Sequence, residues 1–194
     1  DWTIPESWFR PGVDAITGPT PLSIVKEGLA SGLSMGEIFQ QNNFSWGEML
    51  FIKMGGSVGE ISALALILGF IYLLIKRVIR PHIPVAIVLT IVVLTSIFHL
   101  ISPEQFTGPM FNILTGGVLL GSIFMATDYV TTPTTNLGKL IFGVGCGLIT
   151  FVIRYFGALP EGVSYAILLM NILTPHINRL TLSKPFGAEE VAKS

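Results

Sequence analysis

The chain has 194 residues, of which 51% are apolar and only 12% charged, with eleven Lys and Arg against twelve Asp and Glu. That is about half the charge of an average soluble domain (roughly 25%), and a mean hydropathy of +0.70 argues further against a soluble enzyme or a disordered linker. A net charge of −1 leaves no basic nucleic-acid face, and a single cysteine, Cys146, excludes an internal disulfide and any iron–sulfur cluster or zinc ribbon ligated by this chain alone.

Residues 1–57 are amphipathic, with Trp2, Trp8 and Trp46 among several Phe and frequent Gly and Pro, a composition suited to a membrane interface. Within them, residues 21–30 read as a short helix closed by Ser31-Gly32, and residues 35–41 as a second. The chain opens on Asp1 with no signal-peptide pattern and reads as the second part of a longer one.

From residue 61 to residue 178 only Lys76, Arg77, Arg80, Glu104, Asp128, Lys139, Arg154 and Glu161 are charged, and they fall in clumps. The intervals at 61–75, 83–103, 105–127, 140–153 and 162–178 carry no charge. A hydrocarbon core of about 30 Å takes roughly 20 residues of helix, and a flanking Lys76 or Arg154 can snorkel from a shorter run. The pattern predicts an all-α membrane protein with five transmembrane helices near 58–79, 83–101, 110–127, 138–156 and 162–178. Prolines 81, 84, 103, 109, 133, 160 and 175 punctuate the joints or lie a turn from a helix end. The chain thus divides into an extracytoplasmic or interfacial segment (1–57), a five-helix domain (58–179) and a tail (180–194). Placing Lys76, Arg77, Arg80, Lys139, Arg179, Lys184 and Lys193 inside puts seven of eleven basic residues, and the C-terminus, in the cytoplasm, with residues 1–57 outside.

The glycine-rich places, Gly55-Gly56, Gly116-Gly117 and 143–147, lack the strand–turn–helix setting of a nucleotide loop. Gly117/Gly121 and Gly143/Gly147 are small residues four apart, which lets helix backbones approach closely. His99 and His176 lie near opposite faces with no second ligand at metal spacing, and Cys146 between glycines reads as a small packing residue.

The most informative run is Gly12-Val-Asp-Ala-Ile-Thr-Gly-Pro-Thr-Pro-Leu22. Read as chemistry, Thr20 is an N-cap, Pro21 the favoured first helical residue, and Thr17-Gly18-Pro19 the turn leading in. The run also resembles the [Ser/Thr]-Gly-x-Thr acceptor on which a flavin transferase esterifies FMN, although Pro19 stands where Ala is usual. A hydroxyl on an exposed loop before a helix N-terminus suits a phosphate.

Further runs carry the same resemblance: Gly55-Gly-Ser-Val-Gly-Glu-Ile-Ser-Ala-Leu-Ala-Leu66, Gly108-Pro-Met-Phe, Phe124-Met-Ala-Thr-Asp-Tyr129, Leu159-Pro-Glu-Gly-Val163, Leu168-Leu-Met-Asn-Ile172 and Lys184-Pro-Phe-Gly187. From about Val13 to Gly187 the chain resembles the membrane protein RnfD of Rnf-type ion-translocating electron-transport complexes, and more distantly its counterpart NqrB in the sodium-translocating NADH:quinone reductase. The resemblance implies half of a ten-helix, urea-transporter-like bundle in a bacterial or archaeal cell membrane, with covalent FMN on Thr20 and Thr17 and Gly18 completing the attachment motif. It implies electron relay between flavin and iron–sulfur centres of partner subunits, coupled to Na⁺ or H⁺ movement between ferredoxin and NAD. Other subunits and a maturing flavin transferase are the partners, and a second, non-covalent flavin is compatible with the family. Tyr129 stands where the family often has Pro, and Asn178 where it often has Asp.

Glu60 and Asp128 each have two readings. A carboxylate at membrane depth costs about 2.5–3.5 kcal/mol and calls for a reason, such as an ion path; near an interface, Glu60 serves as a first-turn helix charge and Asp128 as a loop cap. A transporter or channel half and a non-redox structural subunit are the alternatives from other classes, although polar residues in the spans (Thr90, Thr95, Ser96, Asn112, Thr115, Asn171) are scattered rather than striped.

Overall fold

The computed structural model describes residues 19–42 and 62–182, and every regular element among them is helical. Helices α1 (Pro21–Ala30) and α2 (Met35–Gln41) form a hairpin on the residues that turn chemistry predicts. Thr20 caps α1, and Ser34 caps α2 in a capping box with Glu37. Gly32, at φ +81°, makes the left-handed turn between them. Leu22, Val25, Met35 and Ile38 bury in the hairpin and against Phe111 of the bundle.

The bundle begins with α3 (Ala63–Ile75) and α4 (His82–Ile101). It closes with α7 (Asn136–Phe156) and α8 (Val163–Thr181), the latter running on through Pro175. Helices α4 and α7 are long and apolar enough to cross a bilayer, with mean hydropathies of 2.4 and 1.8. Residues 58–61, the start of the predicted first span, lie outside the described residues.

Helices α4 and α7 run parallel at close range. A Cβ on Gly143 would sit 2.6 Å from Ala86 Cβ, and one on Gly147 2.7 Å from Thr90 Cβ, so this glycine pair is the close-packing site its spacing predicts. Ile83, Ile87 and Ile91 meet Phe142 and Cys146 there, with Val163, Ile167 and Met170 of α8 completing the core. Leu68, Leu89 and Ile172 lie on outward faces and are 59–72% exposed. Helices apolar on both core and outer faces belong in lipid or against other membrane helices, and the chain is a membrane protein.

The predicted third helix, 110–127, is not continuous. It consists of α5 (Pro109–Leu114), a break at Thr115–Gly117, and α6 (Val118–Leu120), which passes into a π-helical run (Gly121–Met125). Thr115 is extended and Gly116 has φ +70°. A Cβ at Gly116 would meet Leu22 Cδ1 at 2.5 Å, Glu161 Oε1 at 2.8 Å and Arg154 Nη2 at 2.9 Å, so the break requires glycine for both conformation and room. Gly121 approaches α8, its would-be Cβ lying 2.3 Å from Val163 Cγ1, whereas Gly117 caps α6 rather than packing within a helix.

Candidate functional site at the hairpin end of the bundle

Thr20 heads α1 in extended conformation. Its Oγ1 accepts the Ser23 N–H at 3.1 Å and donates to Ser23 Oγ at 3.2 Å, while Ser23 Oγ donates to the Thr20 carbonyl at 2.8 Å. The cap is as the sequence predicts, but the exposure is not: Thr20 is only 4% exposed. Two residues on, Leu22 anchors this turn of α1 in the apolar cluster around Phe111. Thr17, Gly18 and Glu60 lie outside the described residues.

Lys26 pins the hairpin to the bundle. Its Nζ donates to the carbonyls of Gly157 at 2.6 Å, Leu159 at 2.7 Å and Arg154 at 3.4 Å, supplying partners at the C-terminal end of α7. Burial holds the Lys26 ammonium below its ordinary pKa. A cation placed against helix-end carbonyls is well satisfied in its charged form.

Beneath the hairpin lies a buried polar network that the sequence pattern does not reveal. Arg154 is 7% exposed and does not snorkel outward. Its guanidinium donates to the carbonyls of Asn112 at 2.7 Å and Thr115 at 3.2 Å, the acceptors that the break leaves at the end of α5. Asn112 Nδ2 donates to Thr107 Oγ1 at 2.6 Å and Tyr155 Oη at 2.8 Å, and those two hydroxyls lie 2.7 Å apart. A cavity of about 380 Å³ opens beside this network, between α1 and α7, with Lys26, Asn112, Arg154 and Tyr155 on its polar side and Leu22, Val25 and Phe106 on its apolar side. Phe106 packs at a tilt against Tyr155 with ring centroids 4.9 Å apart, in a cluster of tilted rings that includes Phe98 and Phe151. The signal available in the sequence is a basic residue one turn from the end of an apolar helix, which reads equally well as a lipid-facing anchor.

The other candidates lie elsewhere. Asp128 is exposed in the loop before α7, at the opposite end from Thr20, where it accepts from Val130 N–H at 3.4 Å and Thr131 Oγ1 at 3.3 Å. Asn178 Oδ1 accepts the Thr134 N–H at 3.1 Å, tying the same loop to α8. Tyr129 donates to the Val78 carbonyl, and His99 Nδ1 lies 2.7 Å from the Phe106 carbonyl.

Comparison with known proteins places the chain in a family. The model of the NQR2, RnfD, RnfE family matches residues 1–187. The chain is 41% identical over 186 residues to the D component of the Na(+)-translocating ferredoxin:NAD(+) oxidoreductase complex of Acetobacterium woodii, covering 95% of this chain and 54% of that protein. It is 42% identical over 177 residues to the D component of the proton-translocating ferredoxin:NAD(+) oxidoreductase complex of Clostridium ljungdahlii (91% and 53%). To the D component of the ion-translocating oxidoreductase complex of Stutzerimonas stutzeri it is 39% identical over 174 residues (90% and 49%). The chain spans about half the length of these relatives.

Proposed function

The chain belongs to the NQR2, RnfD, RnfE family, and on that premise we propose that it is the flavin-bearing part of a membrane subunit in an ion-translocating electron-transport complex, with FMN esterified to Thr20. The observation that carries the reading is the position of Thr20 Oγ1 at the N-terminus of a ten-residue helix that Lys26 pins beside the cavity.

The residues fit the group. An N-cap hydroxyl lies where the partial positive charge of α1 favours a phosphate, and Thr20 Oγ1 already accepts an N–H there. Bound flavin supplies the redox chemistry. The chain's own residues supply position: Thr20 the ester oxygen, Lys26 the fixed helix, and the cavity beside Phe106 and Tyr155 the adjoining space. Because Thr20 is buried, a transferase reaches its hydroxyl before α1 docks or when α1 lifts. Ferredoxin, NAD and the transported ion belong to the assembled complex, whose other subunits hold the iron–sulfur centres.

The topology belongs to the same proposal. Helices α3 and α4, the broken α5–α6 segment, α7 and α8 each cross the membrane, half of a ten-helix urea-transporter-like bundle. The hairpin end lies on the extracytoplasmic face.

Flavin fluorescence in a denaturing gel tests the assignment, because only a covalent flavin survives it. Intact mass should rise by about 438 Da for phosphoester-linked FMN less water, an estimate from the cofactor's formula. Thr20→Ala should abolish band and mass increment, Thr20→Ser should retain both, and a fluorescent Thr20→Ala protein would refute the proposal.

A transport half without redox chemistry is the second reading. The broken α5–α6 segment favours it, since discontinuous helices line substrate sites in secondary transporters. Solute flux through the complex in liposomes without ferredoxin or NAD separates the two.

A further inference from the structure

At the end of the bundle opposite Thr20, the loop between α3 and α4, the loop before α7 and the first turn of α7 enclose a second cavity of about 270 Å³. Arg77, Arg80 and Lys139 all line it. Among the described residues no carboxylate pairs with any of the three. The nearby acidic side chain, Asp128, directs its oxygens to Val130 N–H and Thr131 Oγ1. Arg80 spends one contact on Asn136 Oδ1, at 3.1 Å, which aims its guanidinium without neutralising it. Three cations sharing one cleft repel one another, and an anion between them would relieve that repulsion.

The cleft is built. Arg77 has φ +55°, a conformation uncommon for a side-chain-bearing residue, held by its N–H to the Leu74 carbonyl at 2.9 Å and by Val78 N–H to the Leu73 carbonyl at 3.0 Å. Tyr129 donates to the Val78 carbonyl and so ties one wall to the other. Planar guanidinium groups match phosphate oxygens in paired hydrogen bonds, and an ammonium adds a point charge.

The surroundings select the source of that phosphate. Val78, Ile79 and Ile83 give the cleft an apolar side, and Val85 of α4 and Leu137 of α7, each next to this end of its helix, are 52% and 59% exposed. The cleft opens where the apolar belts of α4 and α7 begin, the depth at which headgroup phosphates lie beside acyl chains. We propose that this cleft binds the phosphate of an anionic phospholipid, with the diester between Arg77, Arg80 and Lys139 and the acyl chains along the exposed aliphatic faces of α4 and α7. Basic pockets between membrane helices select anionic lipid in this way.

The test uses the intact complex in nanodiscs with spin-labelled phosphatidylglycerol, and with phosphatidylcholine as the neutral reference. Wild type should immobilise phosphatidylglycerol preferentially. The R80Q/K139Q variant should weaken that preference roughly 10- to 30-fold, from about 1 kcal/mol per basic residue. K76Q removes a neighbouring charge that lies over the Tyr72 ring rather than in the cleft, and should leave the preference intact. A wild type without preference, or a preference unchanged in R80Q/K139Q, overturns the proposal. An excess of inorganic phosphate should leave lipid immobilisation unaltered; phosphate that displaces the label assigns the cleft to a soluble anion and overturns the lipid. If R80Q/K139Q does not assemble, the melting midpoint of the wild-type complex decides. It should be higher in phosphatidylglycerol than in phosphatidylcholine nanodiscs, and equal midpoints overturn the assignment.

Discussion

The Arg154 guanidinium lies 2.7 Å from the carbonyl oxygen of Asn112, a residue 42 positions earlier on the interrupted α5–α6 segment. One side chain of α7 thereby satisfies the end of a half-helix that has no next turn to bond to. Buried backbone carbonyls outside a continuous helix need donors, and Arg154 supplies them where Gly116 lets the chain break.

Replacing Arg154 with Met therefore leaves the Asn112 and Thr115 carbonyls without these donors. The expected cost is about 2–6 kcal/mol, from roughly 1–3 kcal/mol for each of the two buried carbonyls left unsatisfied. Thermal unfolding of the detergent-solubilised protein measures it. Arg154→Lys should recover only part of the loss, because a point charge cannot reach both carbonyls as a planar fork does.

Gly143 and Gly147 set the spacing between α4 and α7. A methyl group at Gly143 would also lie 3.0 Å from the Ile83 carbonyl, and one at Gly147 3.0 Å from the Ile87 carbonyl. Backbone cannot swing away as a side chain can. Gly143→Ala and Gly147→Ala should each destabilise by about 1–3 kcal/mol. Gly36→Ala is the control: nothing lies within 4 Å of the added methyl in α2, so the same substitution should stabilise by about 0.4–1 kcal/mol. Melting midpoints of the three variants give the comparison.

Lys26→Met keeps the apolar stem and removes the donors to Gly157, Leu159 and Arg154. After discounting for its partial exposure, a loss of about 1 kcal/mol of hairpin docking is expected. Hydrogen exchange should accelerate across α1 while α4 and α7 stay protected. If Thr20 carries flavin, attachment should also speed up, because the hydroxyl spends more time accessible.

The hairpin carries an acid-sensitive element. Glu37 Oε2 accepts from the Ser34 N–H and the Ser34 hydroxyl, both at 2.9 Å. These bonds hold its carboxyl below the usual glutamate pKa. A depressed pKa contributes stability that is present above the unfolded-state value and is lost as pH falls through the folded-state value. Exchange of α2 amides should rise over that acidic window, and Glu37→Gln should remove the pH dependence.

Local chemistry makes much of this legible. The Thr20-Pro21 start, the Ser31-Gly32 stop and the Ser34/Glu37 box each depend on contacts within four positions, so neighbours along the chain are enough to specify them. The cores of α4 and α7 follow from uninterrupted apolar runs, and the Gly143/Gly147 seam from spacing alone. Asn112 and Thr115, in contrast, read as scattered polar residues. Their meaning depends on a partner some forty residues away, and apolar periodicity carries no trace of it.

By itself, then, the sequence determined that this is an all-helical membrane chain whose Thr20 caps a short helix, because hydropathy and capping are properties of neighbours along the chain. Only the tertiary structure decided that the predicted third helix breaks at Gly116, that Arg154 turns inward to satisfy the break, and that Thr20 is buried in a hairpin held by Lys26. Those outcomes follow from buried backbone carbonyls that must find donors, and the donors that serve them come from far along the chain.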